Sequence, residues 1–486
     1  MGMNRSPIRA VMRLVLACLM LASPASSMAA NAAPLTLASF GAAGDDRTDD
    51  TQALRKAFGQ AAGRCLDGEG RTYRVRGTLR AGTDFCLANA RLRQDVAAFD
   101  TRAWITGTCR AERDAKRLTD CGDPAMPDRL PDGLEDYLYT RTLLIRPDND
   151  GAAPIMVALR NVTVDRGTDP ASGARSDAAG IWIANAARMV LADVTVTGGG
   201  KGFGIMIVNS SNVTLRRVRL HDLVWEPYAG DTPLSLARVR QAGWNTTPIR
   251  EFRKAGDRGA KASAFFGTRS QEQLSCLTIQ QVRNVVIEDL HIKGCRARFA
   301  EGDIPWQADG LSIGETSSDI RIVDVSIADT WEAIDIVGGG SGVERVMIGK
   351  ANITDSFNYG IKVGYDTRGI AVTDSTISRA GLAGVLLYGP VKNAQLRRVH
   401  IAEPGRLMFA GAAQTPWQQE RSGVVLGMGS TAAQAADFPT GVVLEAVTVR
   451  GNRECRAGLL NLTPDRPVRA NLQARGCAMQ SERNQR

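Results

Sequence analysis

Histidine is almost missing from this chain: its 486 residues contain three, His221, His291 and His400. A His-rich metal centre or a Ser-His-Asp triad therefore has little to be built from. None of the nine cysteines falls in zinc-site spacing, and no phosphate-binding glycine loop follows a strand-like run. Beyond residue 29 no stretch approaches the roughly 18 apolar residues of a membrane-spanning helix, so no membrane anchor is expected. An apolar fraction of 44% and a charged fraction of 23% exclude a disordered or low-complexity protein.

What is present begins with an export signal. Arg5, Arg9 and Arg13 precede an apolar run from Leu14 to Ala22, and small residues around Ser26–Ala29 and Asn31–Ala33 supply cleavage signals. Residues 1–29 are thus expected to be a signal peptide, and the mature chain periplasmic or secreted. Its removal takes Cys18 and three arginines, leaving 57 basic against 51 acidic residues, a net +6. This balance suits an anionic partner; in an exported protein that means an acidic polysaccharide rather than nucleic acid. The eight remaining cysteines suggest disulfides, and pairing of sequence neighbours gives Cys65–Cys86, Cys109–Cys121, Cys276–Cys295 and Cys455–Cys477.

A repeat dominates the rest. One set of short strands starts at Gly180, Gly204, Gly310, Ala333, Gly360, Gly384 and Gly423. A second set starts at Asn161, Asn212, Asn284, Asp319, Gly369 and Gly441. Uninterrupted neighbours in the first set lie 23 to 27 residues apart, as between Gly310 and Ala333 or Ala333 and Gly360. Each unit alternates apolar and polar residues and breaks at Gly, Asn or Asp, with no ten-residue helical stripe that would signal a βαβ unit. The pattern predicts an all-β right-handed parallel β-helix, each coil burying its inward residues against its neighbours. An open solenoid end needs a cover. Ala53, Leu54, Ala57, Phe58 and Ala61 fall on one face of an expected capping helix, with Thr48 or Asp49 as its N-cap. The expected organisation is a cap and first coils over 34–100, a disulfide-clipped insertion over 101–150, and the β-helix over 151–480 with insertions at 228–275 and 403–421.

Loops leaving one edge of a solenoid commonly wall a groove. The 228–275 insertion mixes Trp244 with Arg250, Arg253 and Lys254. Those residues, with Trp306 and Trp331, are the candidates for binding an acidic sugar chain, the cations for carboxylates and the rings for sugar faces. Coil-by-coil alignment gathers the chemistry. Asp309, Glu332 and Tyr359 share the column before the repeat's Gly/Ala, and Ser312, Asp335 and Lys362 share the outward column two residues into the strand. Neighbouring strands lie about 4.8 Å apart, so these residues fall in one patch on the order of 10 Å across. Two chemistries fit. In hydrolysis, Asp309 and Glu332 supply acid and base, with Asp335 raising a partner's pKa by like-charge repulsion, and no cofactor is needed. In β-elimination, Lys362 serves as base and Tyr359 as acid, with a Ca²⁺ ion held by Asp309, Glu332 and Asp335. A C5-epimerase would use similar parts. A polysaccharide-binding β-helix without turnover is the non-enzymatic alternative.

The segment Ser39–Phe58, SFGAAGDDRTDDTQALRKAF, resembles the N-terminal signature of the pectate-lyase-like β-helix superfamily, which includes polygalacturonase-type glycosidases, polysaccharide lyases and phage tailspikes. Ala308-Asp309-Gly310-Leu311 is similar to the Asn-Thr-Asp-Gly segment of polygalacturonase-type glycosidases, and Trp331-Glu332 falls where they carry paired aspartates. The resemblance implies a catalytic carboxylate at Asp309 and, more loosely, at Glu332. The family's His-Gly is replaced here by Tyr359-Gly360.

Overall fold

A computed structural model describes residues 35–61, 63–95, 141–148, 151–167, 179–199, 203–225, 228–229, 232–233, 275–299, 302–304, 308–338, 342–406, 421–427, 438–463 and 468–483. The expected signal segment and the expected Cys109–Cys121 pair lie outside these residues, as do most of the three expected insertions.

The strands wind into a parallel β-helix. In the first strand set, Leu79–Ala81, Arg141–Ile145, Ala179–Ala184 and the start of Ile205–Trp225 stack in parallel order. The stack continues through the start of Ser275–Phe299, Asp309–Gly314, Ile334–Val337, Ile361–Gly364, Val385–Tyr388, Ser422–Leu426, Ala457–Asn461 and Met479–Arg483. Alternation decides which way each side chain faces. Ile313, Ile336, Val363 and Leu387 point inward with no solvent exposure, and Ser312, Asp335 and Lys362 take the outward positions between them.

The longer strands of the second set bend midway at a left-handed residue, among them Asn161, Asp193, Asp289, Asp324 and Asp374. Short polar side chains tolerate that conformation best. The register then stacks opposite charges at the bend: Arg217 on Asp193 at 2.5 Å, and Arg398 on Asp374 at 2.6 Å. Solvent screens these exposed pairs, so they fix register more than they stabilise.

Two expectations are revised. Arg141–Ile145 is a coil strand rather than part of an insertion spanning 101–150, because it pairs with Leu79–Ala81 on one side and Ala179–Ala184 on the other. The capping helix, Thr51–Gln60, begins one to two residues later than Thr48 or Asp49 would allow, and its N-cap is Asp50. Thr48 and Asp49 belong to the strand Asp45–Asp49. The Asp50 carboxylate makes no cap bond and instead accepts from the Ala43 and Gly44 N–H groups at 2.6 and 3.1 Å. The apolar face is as expected, with Leu54, Ala57 and Phe58 buried and the Phe58 ring edge-on to Phe85 at 4.8 Å. Cys65–Cys86, Cys276–Cys295 and Cys455–Cys477 are disulfides.

Glycine recurs at one position of the first set because adjacent coils meet there backbone to backbone. A Cβ on Gly423 would sit 2.6 Å from the Gly458 carbonyl oxygen and 2.4 Å from a Val449 methyl. Overpacking of that kind costs about 1–3 kcal/mol. Gly423→Val should therefore lower the thermal midpoint by several degrees; a wild-type melting curve would show that the coils are not in such close contact.

Candidate functional site

Three consecutive coils build the patch. Asp309 opens the strand Asp309–Gly314, Glu332 lies in the bend before Ile334–Val337, and Tyr359 holds the equivalent place before Ile361–Gly364. Ser312, Asp335 and Lys362 are direct ladder partners. Backbone bonds lock the bends, with Gly310 N–H donating to the Glu332 carbonyl at 2.8 Å and Ala333 N–H to the Tyr359 carbonyl at 3.2 Å.

The side chains converge. Asp309, Glu332 and Asp335 each offer a carboxylate oxygen, and these three atoms lie within 4.8 Å of one another. Lys362 Nζ donates to Glu332 Oε2 at 2.8 Å and lies 3.3 Å from Asp335 Oδ1. Asp309 Oδ1 accepts a long bond, 3.4 Å, from the Glu332 backbone N–H. The Glu332 side chain is only 5% exposed, against 14% for Asp335 and 19% for Lys362.

Burial and like charge set the protonation states. Burial, reinforced by Glu332 and Asp335, pushes the Asp309 carboxyl well above the usual carboxylate range. Burial also raises Glu332, to about 7, against the opposing pull of Lys362. For Lys362, burial disfavours the charge, but Asp335 and Glu332 outweigh it and hold the ammonium well above its ordinary range. A lysine base needs its ammonium pKa lowered, and these two carboxylates act in the opposite direction. Tyr359, the acid of the elimination reading, holds its expected column position but is 4% exposed and packs among Leu382, Ala383, Leu386 and Tyr388.

Several neighbours were not visible in the repeat. A coil at Ser275–Gln280 precedes Asp309–Gly314 and brings Ser275 and Thr278 into the two site columns, where their buried hydroxyls bond each other. The long interruption before Ser275 hid that coil from a short-period alignment. The Asn358 side chain hydrogen-bonds Glu332. Tyr388, 6% exposed, places its ring centroid 5.9 Å from Lys362 Nζ. Trp331 is 4% exposed and stacks on Phe357 at 4.5 Å, so it offers a sugar no open face. Trp244, Arg250, Arg253, Lys254 and Trp306 lie outside the described residues. The three histidines are on the second strand set, hydrogen-bonded to Thr197 and Asp222, Asp289, and Thr448 respectively.

The charge balance yields a stability test. Glu332 binds its proton more tightly folded than unfolded, so its contribution is full below about pH 4.5 and is lost as pH rises through about 7. Lys362 restrains that loss. Lys362→Met should cost about 3–5 kcal/mol at pH 8, the usual penalty for stripping one partner from a buried pair, and less at pH 5, where Glu332 has taken up its proton. An equal cost at both pH values, read from denaturant unfolding, would contradict this arrangement.

No protein-family model matches the sequence, and no curated relative does. Solved structures show the same architecture. A surface adhesin of Streptococcus pneumoniae superposes with a TM-score of 0.54 at 12% identity, covering 93% of this chain and 100% of the adhesin. The A-module of a mannuronan C-5 epimerase of Azotobacter vinelandii gives 0.50 at 12% identity, covering 93% of this chain and 98% of the module. The Dettilon tailspike protein gives 0.50 at 13% identity, covering 90% of this chain and 68% of the tailspike. The chain therefore has the right-handed parallel β-helix fold.

Proposed function

We propose that this protein is an exported enzyme that hydrolyses glycosidic bonds in an acidic polysaccharide. One observation carries the reading: three carboxylates from adjacent coils meet within 4.8 Å beside a single ammonium. Such a cluster keeps at least one carboxyl protonated at neutral pH while another stays ionised, which is the pair that glycoside hydrolysis needs. Asp309 is the general acid. Its proton is held by burial and by two neighbouring carboxylates, and it passes to the leaving glycosidic oxygen as the bond to the anomeric carbon breaks. The ionised form of Glu332, which Lys362 favours against burial, takes the proton of the attacking water or stabilises the positive charge developing on the sugar, with Asp335 beside it. Lys362 offsets the negative charge of Glu332 and Asp335.

The placement of Lys362 also favours hydrolysis over elimination. A base must be deprotonated, and two carboxylates keep this ammonium charged. The three carboxylates would suit a hard cation, but Lys362 Nζ already lies at 2.8 and 3.3 Å from two of them. The proposed reaction is accordingly independent of calcium. Export is supported by the three disulfides, which persist in oxidising compartments. The adhesin's likeness in fold keeps one other reading in view, a β-helix that binds polysaccharide without turnover.

A time course on a panel of acidic polysaccharides, following new reducing ends and the ultraviolet absorbance of unsaturated uronates together, tests the proposal. Reducing ends without absorbance, unchanged by a chelator, are expected. Absorbance rising with the reducing ends and lost with chelator would overturn it in favour of elimination. Asp309→Asn and Glu332→Gln should each lower kcat by about 10²–10⁴-fold, with polymer binding retained. Binding without any turnover in the wild type would establish the non-catalytic reading instead.

A further inference from the structure

One aromatic side chain beside the patch is displayed at a structural cost. Tyr365 directly follows the strand Ile361–Gly364 that carries Lys362, and it is 50% exposed. Its backbone is left-handed, φ 43°, and so is that of Asp366, φ 54°. A bulky residue rarely adopts that conformation, and such strain persists where the surroundings enforce it.

Here the surroundings do. The Tyr365 ring meets the Tyr388 ring edge-on, with centroids 5.0 Å apart and planes at 78°. Tyr388 is buried and can lie where it does because Gly364 lacks a Cβ, which would fall 2.2 Å from Tyr388 Cε1. Gly338 makes similar room, since a Cβ there would fall 2.1 Å from the Tyr365 carbonyl oxygen. The turn is tied by Thr367 Oγ1, which donates to the Gly364 carbonyl at 2.6 Å. Tyr388 in turn neighbours Lys362. Two glycines, a hydroxyl bond and a buried ring thus hold one tyrosine rigidly in the open at the edge of the acid–ammonium patch.

A rigid exposed ring with a polar tip suits the C–H face of a pyranose, which has apolar hydrogens on its faces and hydroxyls around its rim. We propose that Tyr365 is a stacking platform for the sugar unit adjacent to the one cleaved, seating a pyranose whose carboxylate or hydroxyls reach toward Lys362. This rests on the reading of the patch as a polysaccharide site, and it adds a specificity-determining residue that touches no reacting atom.

Saturation-transfer difference NMR tests it with two small probes, the methyl glycosides of galacturonic and glucuronic acid. Irradiation of the aromatic protons of the intact protein should saturate ring C–H protons of at least one probe. The transfer should disappear in Tyr365→Asn and survive in Tyr365→Phe. Asparagine accepts a left-handed backbone easily, so Tyr365→Asn should melt no lower than wild type, which separates loss of the platform from loss of fold. Transfer unchanged in Tyr365→Asn, or absent for both probes in the wild type, would overturn the proposal. Tyr365-dependent transfer in a protein with no turnover on the polymer panel would uphold the platform and defeat the hydrolase reading alone.

Discussion

The parallel backbone ladder is the constraint on which this structure depends. It places equivalent residues of successive coils about 4.8 Å apart, in register, over the length of the solenoid. Inside, that register turns short apolar pairs such as Ile334/Ile336 and Ile361/Val363 into a continuous core. Outside, it turns each outward position into a column, so that a residue's chemistry is set as much by the coils on either side as by its own neighbours in sequence.

The same stacking has opposite consequences in different places. At the solvent-exposed bends it sets Asp under Arg, as at Asp193/Arg217 and Asp374/Arg398, and water screens what remains. On the first strand set it sets Asp309, Glu332 and Asp335 together, with one lysine to balance them. There the carboxylates are largely withdrawn from water, so repulsion and desolvation move protons instead of being absorbed by solvent. Apolar residues close the column above: Leu386, Val425 and Leu460 continue the line of Lys362 and are essentially unexposed. A polar cluster between a hydroxyl pair, Ser275 and Thr278, and this apolar run has the character of a site and not of a solvated face.

Much of this was legible in the sequence because a solenoid writes its geometry as a period. The fold, the apolar face of the capping helix, three disulfide pairs and the two columns holding Asp309, Glu332, Asp335, Tyr359 and Lys362 all follow from spacing. What spacing does not carry is electrostatic environment and anything beyond an interruption. The protonation of Lys362 depends on how closely its neighbours' carboxylates approach its ammonium. The Ser275–Thr278 coil lies beyond a long insertion that breaks the count. Asp50, rather than Thr48 or Asp49, starts the helix because those two are held in a strand paired with Cys65–Val75. Tyr365 carries no repeat signal, since its interest lies in a backbone conformation and a contact with Tyr388.

The proposed hydrolysis requires a proton retained in the carboxylate cluster at neutral pH. Carboxyl ¹³C chemical shifts of the Asp- and Glu-labelled protein, followed from pH 3 to 9, measure that directly. At least one carboxyl should titrate near or above pH 7, and this titration should vanish or move in Asp309→Asn. If every carboxyl in the protein titrates below about pH 5, the cluster holds no proton, Asp309 is no general acid, and the central claim fails.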